Sequence, residues 1–268
     1  MCRPLFRSPE AVDRGLTQLS SLLSVHRNDL NITAAPKGLV VGRVVYVDEF
    51  GNTVDVRMFG DAGCLIPARP ERLMHIVVDA RGIIVVEKEA ALTSLIDEST
   101  SEDSLLSFVI VSGKGYPDYA TRLFLRRISA QGRDNRERIP IYILTDADPH
   151  GINIAGCYMS ALRGCRIHWI GIRHSDYGSL FEIQDSSKMR LTENENVLLD
   201  RMLERWTDGE IDSPYGDDLL TEAKNMKASQ TKFEMEALSS HGGTSSGNYN
   251  PGLLSYLMKR VSSLETHK

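Results

Sequence analysis

The chain contains no apolar run approaching the roughly 20 residues that a bilayer-spanning helix needs. Its opening, MCRPLFRSPE, leads into no apolar core of the kind a secretory leader carries. The expectation is a protein that works inside the cell and has no membrane partner. Cysteine is scarce. Cys2, Cys64, Cys157 and Cys165 form no C-x-x-C pair, which leaves neither zinc-finger spacing nor a disulfide framework. Reduced thiols are the simpler reading. Positive charge is not in excess: the formal net charge is −5, so the broad basic surface that phosphate binding calls for is absent. Nucleic-acid binding would have to rest on local patches. One is the run Arg122, Arg126, Arg127, Arg133, Arg136 and Arg138, which also reads as a solvated helix face. There is no internal repeat and no ATP-binding motif, and low complexity is confined to HGGTSSGNYN at residues 241–250.

What is present is ordinary globular material, with 41% hydrophobic and 25% charged residues in 268. Residues 9–25 carry Val12, Leu16, Leu19, Leu22 and Leu23 at helical spacing. Two β-rich runs, 39–47 and 53–59, flank the turn-forming Asp48-Glu49-Phe50-Gly51-Asn52 and predict a β-hairpin. The rhythm then changes. GIIVV (82–86), FVIV (108–111), IPIYIL (139–144) and RIHWIGI (166–172) are short continuous apolar runs of the kind buried on both faces of a parallel sheet. Helical stretches separate them at 88–96, from Pro117 to about residue 130, and from near Ile152. Strands alternating with helices make βαβ units. Residues 193–206, 217–239 and 253–261 read as helices.

In such a sheet, functional groups gather at the carboxyl ends of the strands. Glu87 follows GIIVV directly. Asp146 and Asp148 follow IPIYILT in the order Asp146-Ala147-Asp148-Pro149-His150-Gly151. Alternate residues of an extended backbone point the same way, so the two aspartates can aim at one point, and Glu87 can join them if its strand neighbours theirs. Clustered carboxylates repel unless a cation lies between them. Mg²⁺, a hard ion that takes carboxylate oxygens and keeps waters and phosphate oxygens, suits the set. The same Asp-x-Asp-Pro-x-Gly string also serves as a helix entry with aspartate caps. Asp-x-Asp occurs in glycosyltransferases and phosphatases as well, so the spacing by itself names no reaction. His150 and His174 could act as acid–base groups, although a histidine at a helix start is more often structural. Lys114 and Arg122 flank the acidic edge and suit phosphate contact, and Arg126 lies one helical turn beyond Arg122.

More specific are the blocks VVEKEA (85–90), VSGKGYPDYATRLFLRRI (111–128) and YILTDADPHGINI (142–154). In order and context they resemble a Toprim domain, and more narrowly the A-type chain of topoisomerase VI and the eukaryotic meiotic double-strand-break proteins. LLSVHRNDLNITAAPKGLVVG (22–42), HWIGIRHSD (168–176) and KFEMEAL (232–238) are similar to that family's flanking segments. The resemblance implies an α/β fold: a Toprim domain with a parallel, Rossmann-like sheet and a helical C-terminal extension over residues 71–268, preceded over 1–70 by a winged-helix remnant and the β-hairpin.

It also implies that Glu87, Asp146 and Asp148 match the family's Mg²⁺-binding triad, and that Gly113, Gly115, Pro117 and Asp118 match its glycine-rich turn. The family acts as homodimers on double-stranded DNA, alongside a topoisomerase VI B-like, GHKL ATPase-type partner or its meiotic counterpart. A tyrosine hydroxyl attacks a phosphodiester and leaves a 5′-phosphotyrosyl link, nucleophilic catalysis that starts meiotic recombination in the nucleus. The family tyrosine lies upstream, in the winged-helix domain. Tyr46 belongs to the expected hairpin and Tyr116, Tyr119 and Tyr142 to Toprim blocks, so none takes that role. The reading is a copy shortened at its start. The alternatives are a non-catalytic DNA-binding and dimerisation module, or a different Toprim enzyme such as a primase or nuclease. Against the last stand the absence of a primase's zinc cluster and the match of the flanking blocks.

Overall fold

The computed structural model describes residues 9–25, 27–30, 32, 35–99, 104–132, 138–178, 180–181, 187–207, 216–239 and 252–266. Cys2, Arg133, Arg136 and the segment 241–250 lie outside the described residues. The chain divides into two compact units, 1–35 and 36–268. The first unit holds helix α1 (Pro9–Leu23).

The second unit begins with short strands β1 (Leu39–Val41), β2 (Val44–Val47), β3 (Thr53–Asp55), β4 (Cys64–Leu65) and β5 (Met74–Val78). Then strands and helices alternate: β6 (Gly82–Val86), α2 (Glu89–Glu98), β7 (Phe108–Ser112), α3 (Tyr119–Ser129), β8 (Ile141–Leu144), α4 (Pro149–Ala161) and β9 (Ile167–Gly171). The remainder comprises β10 (Met189–Arg190), α5 (Glu193–Thr207), α6 (Gly216–Ser229), β11 (Thr231–Lys232), α7 (Glu236–Ser239) and α8 (Leu253–Glu265).

The main sheet has the order β4-β1-β7-β6-β8-β9. β6 pairs in parallel with β7 on one side and β8 on the other, and β8 pairs in parallel with β9. Every residue of β6, β7, β8 and β9 is buried, as continuous apolar runs require of strands covered on both faces. Alternate residues feed two layers. Ile83, Val85, Ile141 and Ile143 pack with α3 and α4 through Phe124, Leu125, Ile128, Ile152 and Tyr158. Ile84, Val86, Tyr142 and Leu144 pack with α2 and α8 through Leu92, Leu95, Tyr256 and Leu257.

The chain leaves β6 for the α2 face and leaves β8 for the α4 face. Adjacent parallel strands whose following helices lie on opposite faces open a crevice at their carboxyl ends. Glu87 and Asp146 sit at that crevice.

The 39–47 run is two strands in two sheets. β1 pairs antiparallel with β7 in the main sheet. β2 forms a small antiparallel sheet with β3 and β5. The break is at Gly42, where φ is +118° and an added side chain would press on the backbone of Phe108 and Val109. Residues 39–41 are thus part of the main sheet's own layer. The expected hairpin turn is present, with Asp48 Oδ1 accepting N–H groups of Phe50 at 2.9 Å and Asn52 at 2.8 Å. Its second arm ends at Asp55, whose carboxylate accepts the Arg57 N–H and starts a 3₁₀ segment.

Two helix starts and one helix end also differ from expectation. α4 begins at Pro149, nearly a full turn before Ile152, because Asp148 caps it and proline suits the first helical position. α3 begins at Tyr119 behind the Asp118 cap, so Pro117 lies just outside it. The 217–239 stretch stops at Ser229. Gln230 takes a φ of +56°, and β11 then pairs with β10 before α7.

Arg127, counted in the basic run, points inward across α3. Its guanidinium donates to the carbonyls of Pro70 at 2.9 Å, Glu71 at 2.5 Å and Leu73 at 2.7 Å, tying the approach to β5 onto the helix. Hydrogen bonds to charged groups contribute about 1.5–3 kcal/mol each and are not additive. Arg127→Gln is expected to cost about 2–4 kcal/mol, read as a lower urea midpoint with an unchanged slope. A shift in midpoint of the size seen for a surface substitution would show that these bonds add little.

Candidate metal and nucleic-acid site

Glu87 directly follows β6, and Asp146 lies two residues past β8. The strands are neighbours, so the condition for bringing the carboxylates together is met. The Asp146 N–H donates to Glu87 Oε2 at 3.1 Å. Both residues are deeply buried, with 8% of Glu87 and 2% of Asp146 exposed. Burial, and then the charge of Asp146, push the Glu87 carboxyl up to about 8. Burial pushes Asp146 up to about 6, against the opposing pull of the Lys88 hydrogen bond and the Met235 N–H. Asp148 adds repulsion to both.

Asp148 itself is turned to the helix start, where its Oδ1 accepts the Gly151 N–H at 2.6 Å. A side chain at Gly151 would collide with the Asp146 backbone, so this glycine lets the helix begin tight against the acidic loop. The helix-entry reading of the Asp-x-Asp string describes Asp148, which caps α4, while the backbone N–H of Asp146 lies against Glu87. Among the described residues no three Asp, Glu, His or Cys side chains close on a common point as metal ligands. Even so, the donors are hard carboxylate oxygens, buried side by side and repelling one another. That is the chemistry a divalent ion relieves, so the residues fit such a group.

Two neighbours of Asp146 are absent from the sequence reading. Lys88 Nζ lies 2.8 Å from Asp146 Oδ2 and 3.3 Å from carboxylate oxygens of Glu234 and Glu236. The Met235 N–H donates to Asp146 Oδ1 at 2.8 Å. Lys88 adjoins Glu87 in VVEKEA, so its place at a strand's carboxyl end was a usable signal. Met235 acts through its backbone and comes from far along the chain, and nothing local marks it. The arm that carries it is stitched to the acidic loop, since Ala147 and Phe233 exchange N–H···O bonds at 3.1 Å each way.

The glycine-rich turn lies over the end of β6, where the Gly115 N–H donates to the Glu87 carbonyl at 2.8 Å. Gly115 has a φ of +88° with open space around it, a conformation glycine adopts without strain. Gly113 instead makes room for the Tyr158 hydroxyl. Asp118 accepts the Thr121 N–H at 2.7 Å and the Lys37 N–H at 3.2 Å.

Lys114 Nζ pairs with Glu89 at 2.7 Å. Arg122 Nε donates to the Asp118 carbonyl at 3.3 Å, and Arg126 donates to the Ala161 carbonyl at 2.6 Å. The Lys114 pair is a partly exposed ion pair, of a type that contributes about 0–1 kcal/mol, so exchange for a phosphate costs little. Arg138 lies away from this strip, with Nη1 3.9 Å from Cys165 Sγ.

Among the tyrosines, Tyr46 and Tyr142 are core residues. Tyr116 is half-exposed on the turn, and its hydroxyl lies between Asn153 Nδ2 at 2.9 Å and His150 Nδ1 at 3.3 Å. His150 thus has a structural partner.

His174 anchors the root of the arm. Its Nε2 lies 2.9 Å from Thr231 Oγ1 and 3.0 Å from Ser229 Oγ, and its ring packs on Phe233. Burial holds its pKa below the ordinary imidazole value of 6.5, with Glu222 pulling it up and Lys188 pushing it down. A group kept neutral by the fold stabilises it above its unfolded pKa and loses that contribution as pH falls through the lower folded value. Thermal unfolding between pH 7.5 and 5 should therefore show a loss of stability below about 6.5 that is smaller in His174→Gln. Parallel pH profiles for the two proteins would exclude this role.

Comparison with known proteins follows the same outline. A family profile for the Toprim domain of the topoisomerase 6 A-type chain and Spo11 matches residues 82–249. The A-type chain of DNA topoisomerase 6 from Arabidopsis thaliana is 34% identical over 89% of this chain and 55% of its own length. The A3 form of that chain from Oryza sativa subsp. indica is 30% identical over 89% and 53%. Meiotic recombination protein SPO11 of Homo sapiens is 31% identical over 75% and 51%. The chain spans about half the length of these relatives. The matched profile begins at the first residue of β6 and takes in β7, β8 and β9 with their connecting helices, and the chain belongs, through its Toprim domain, to the family of the topoisomerase 6 A-type chain and Spo11.

Proposed function

We propose that this chain supplies the metal- and DNA-holding part of a Mg²⁺-dependent, double-strand DNA-cleaving transesterase of the kind that starts meiotic recombination. The observation that carries the reading is the burial of Glu87 and Asp146 side by side at the carboxyl ends of neighbouring parallel strands, with Asp148 adding charge to both. Buried like charges without a divalent partner are costly. A site built this way is suited to a cation that also binds phosphate.

In this reading Glu87, Asp146 and Asp148 hold Mg²⁺, and Gly113, Gly115, Pro117 and Asp118 shape the turn beside it. Lys114 and Arg122 receive phosphates along the same edge, and Arg126 continues that strip toward the far end of α4, where it holds the Ala161 carbonyl. When bound, the ion neutralises charge on a phosphate and orients it. The chain's own residues position the backbone of double-stranded DNA. None of Tyr46, Tyr116, Tyr119 and Tyr142 suits the nucleophile, which this reading assigns to the family's winged-helix segment. Supporting it are the family membership and the names of the relatives, one of which is a meiotic recombination protein. The reading extends to a homodimer, to a topoisomerase VI B-like ATPase as partner and to action on chromosomes in the nucleus.

The test is duplex binding across a Mg²⁺ titration. Mg²⁺ should tighten binding of the wild-type chain about tenfold or more, as removal of phosphate-facing repulsion implies, and Asp146→Asn should abolish the gain. Equal Mg²⁺ responses would exclude the acidic site. A metal-dependent gain with no covalent DNA adduct, even beside a B-like partner and a full-length relative, would favour a DNA-binding and dimerisation module.

A further inference from the structure

Resting on that reading of the acidic site, we propose that Lys88 is its resident counter-ion, held on Asp146 until a divalent cation displaces it, and that this exchange loosens the exposed edge of the arm around Glu234 and Glu236. The two oxygens of Asp146 have different roles. Oδ1 faces inward and accepts the Met235 N–H at 2.8 Å. Oδ2 meets Lys88 Nζ at 2.8 Å. Glu87 Oε2 is turned toward the Asp146 N–H. The oxygen of Asp146 that an incoming ion needs is therefore the one the ammonium holds.

Lys88 is placed to leave. It stands at the N-cap of α2 without a capping side-chain bond. About a third of its side chain is exposed, against 2% for Asp146. Its ammonium also reaches Glu234 and Glu236, each at 3.3 Å. One cation thus joins the buried acid to the surface of the arm. A divalent ion on Asp146 would repel the ammonium a few ångströms away. Once Lys88 moves off, Glu234 and Glu236 lose the charge that draws them to the site. The backbone bonds of Ala147 with Phe233 remain to hold the root of the arm.

Mg²⁺ binding to the chain, measured by calorimetry, tests the exchange when paired with hydrogen exchange at the amides of residues 234–238. Lys88→Met keeps length and removes charge. It should bind Mg²⁺ about tenfold tighter than wild type, because the competing charge is gone. Its arm amides should already exchange faster than those of the wild type without metal, while the wild type speeds up only on adding Mg²⁺. Equal affinities would overturn the exchange and leave the acidic site standing. Weaker binding by Lys88→Met would also overturn it, making Lys88 a support of the site. No binding by either protein would remove the metal reading and this inference together.

Should Lys88→Met not fold, Glu234→Gln/Glu236→Gln tests the tether, since both side chains are about half exposed. Arm amides of that variant should exchange faster than wild type without metal. Unchanged protection would refute the tether.

Discussion

The structure turns on two carboxylates buried against each other where neighbouring parallel strands end. Glu87 and Asp146 would each be better solvated apart, yet the sheet holds them together, and the local architecture compensates. A backbone N–H of the acidic loop faces Glu87, a backbone N–H of the arm faces Asp146, and Lys88 brings a positive charge. Removing any of these leaves buried negative charge with less to oppose it. The carboxyl raised to about 8 on Glu87 reflects the imbalance that remains, which comes first from burial and then from Asp146.

The imbalance explains why several elements converge on one sheet edge. The glycine-rich turn reaches across to the Glu87 carbonyl, and α4 starts hard against the Asp146 backbone through Gly151. The arm after α6 comes back to the acidic loop to donate the Met235 N–H. Of these contacts only the Met235 N–H brings a dipole to a carboxylate; the other two join backbone to backbone and fix the shape of the edge. Lys88 supplies the full charge, from the start of the helix that leaves β6 on the opposite face from α4.

The positive strip beside the site is less free than its sequence suggests. Arg127 is committed to the carbonyls of residues 70, 71 and 73. Arg126 holds the end of α4, and Lys114 sits on Glu89. Regular spacing along a helix shows which residues share a face, but each guanidinium's partner depends on which carbonyls the fold brings near.

By itself, the sequence determined the alternation of buried strands and helices, because strands covered on both faces must be continuously apolar. It also determined the candidate acids, because charged residues directly after such strands fall at the sheet edge, and the turn at residues 48–52, because aspartate, glycine and asparagine chemistry is local. Tertiary structure decided the rest. The split of 39–47 between two sheets follows from the approach of Gly42 to the backbone of residues 108 and 109. The stop at Ser229 follows from pairing with β10 and with the acidic loop, which overrides helical spacing. The order that sets β8 beside β6, and so Glu87 beside Asp146, is a property of how the crossovers pack. The bond from Met235 joins groups 89 residues apart, a distance over which no pattern in the chain carries information.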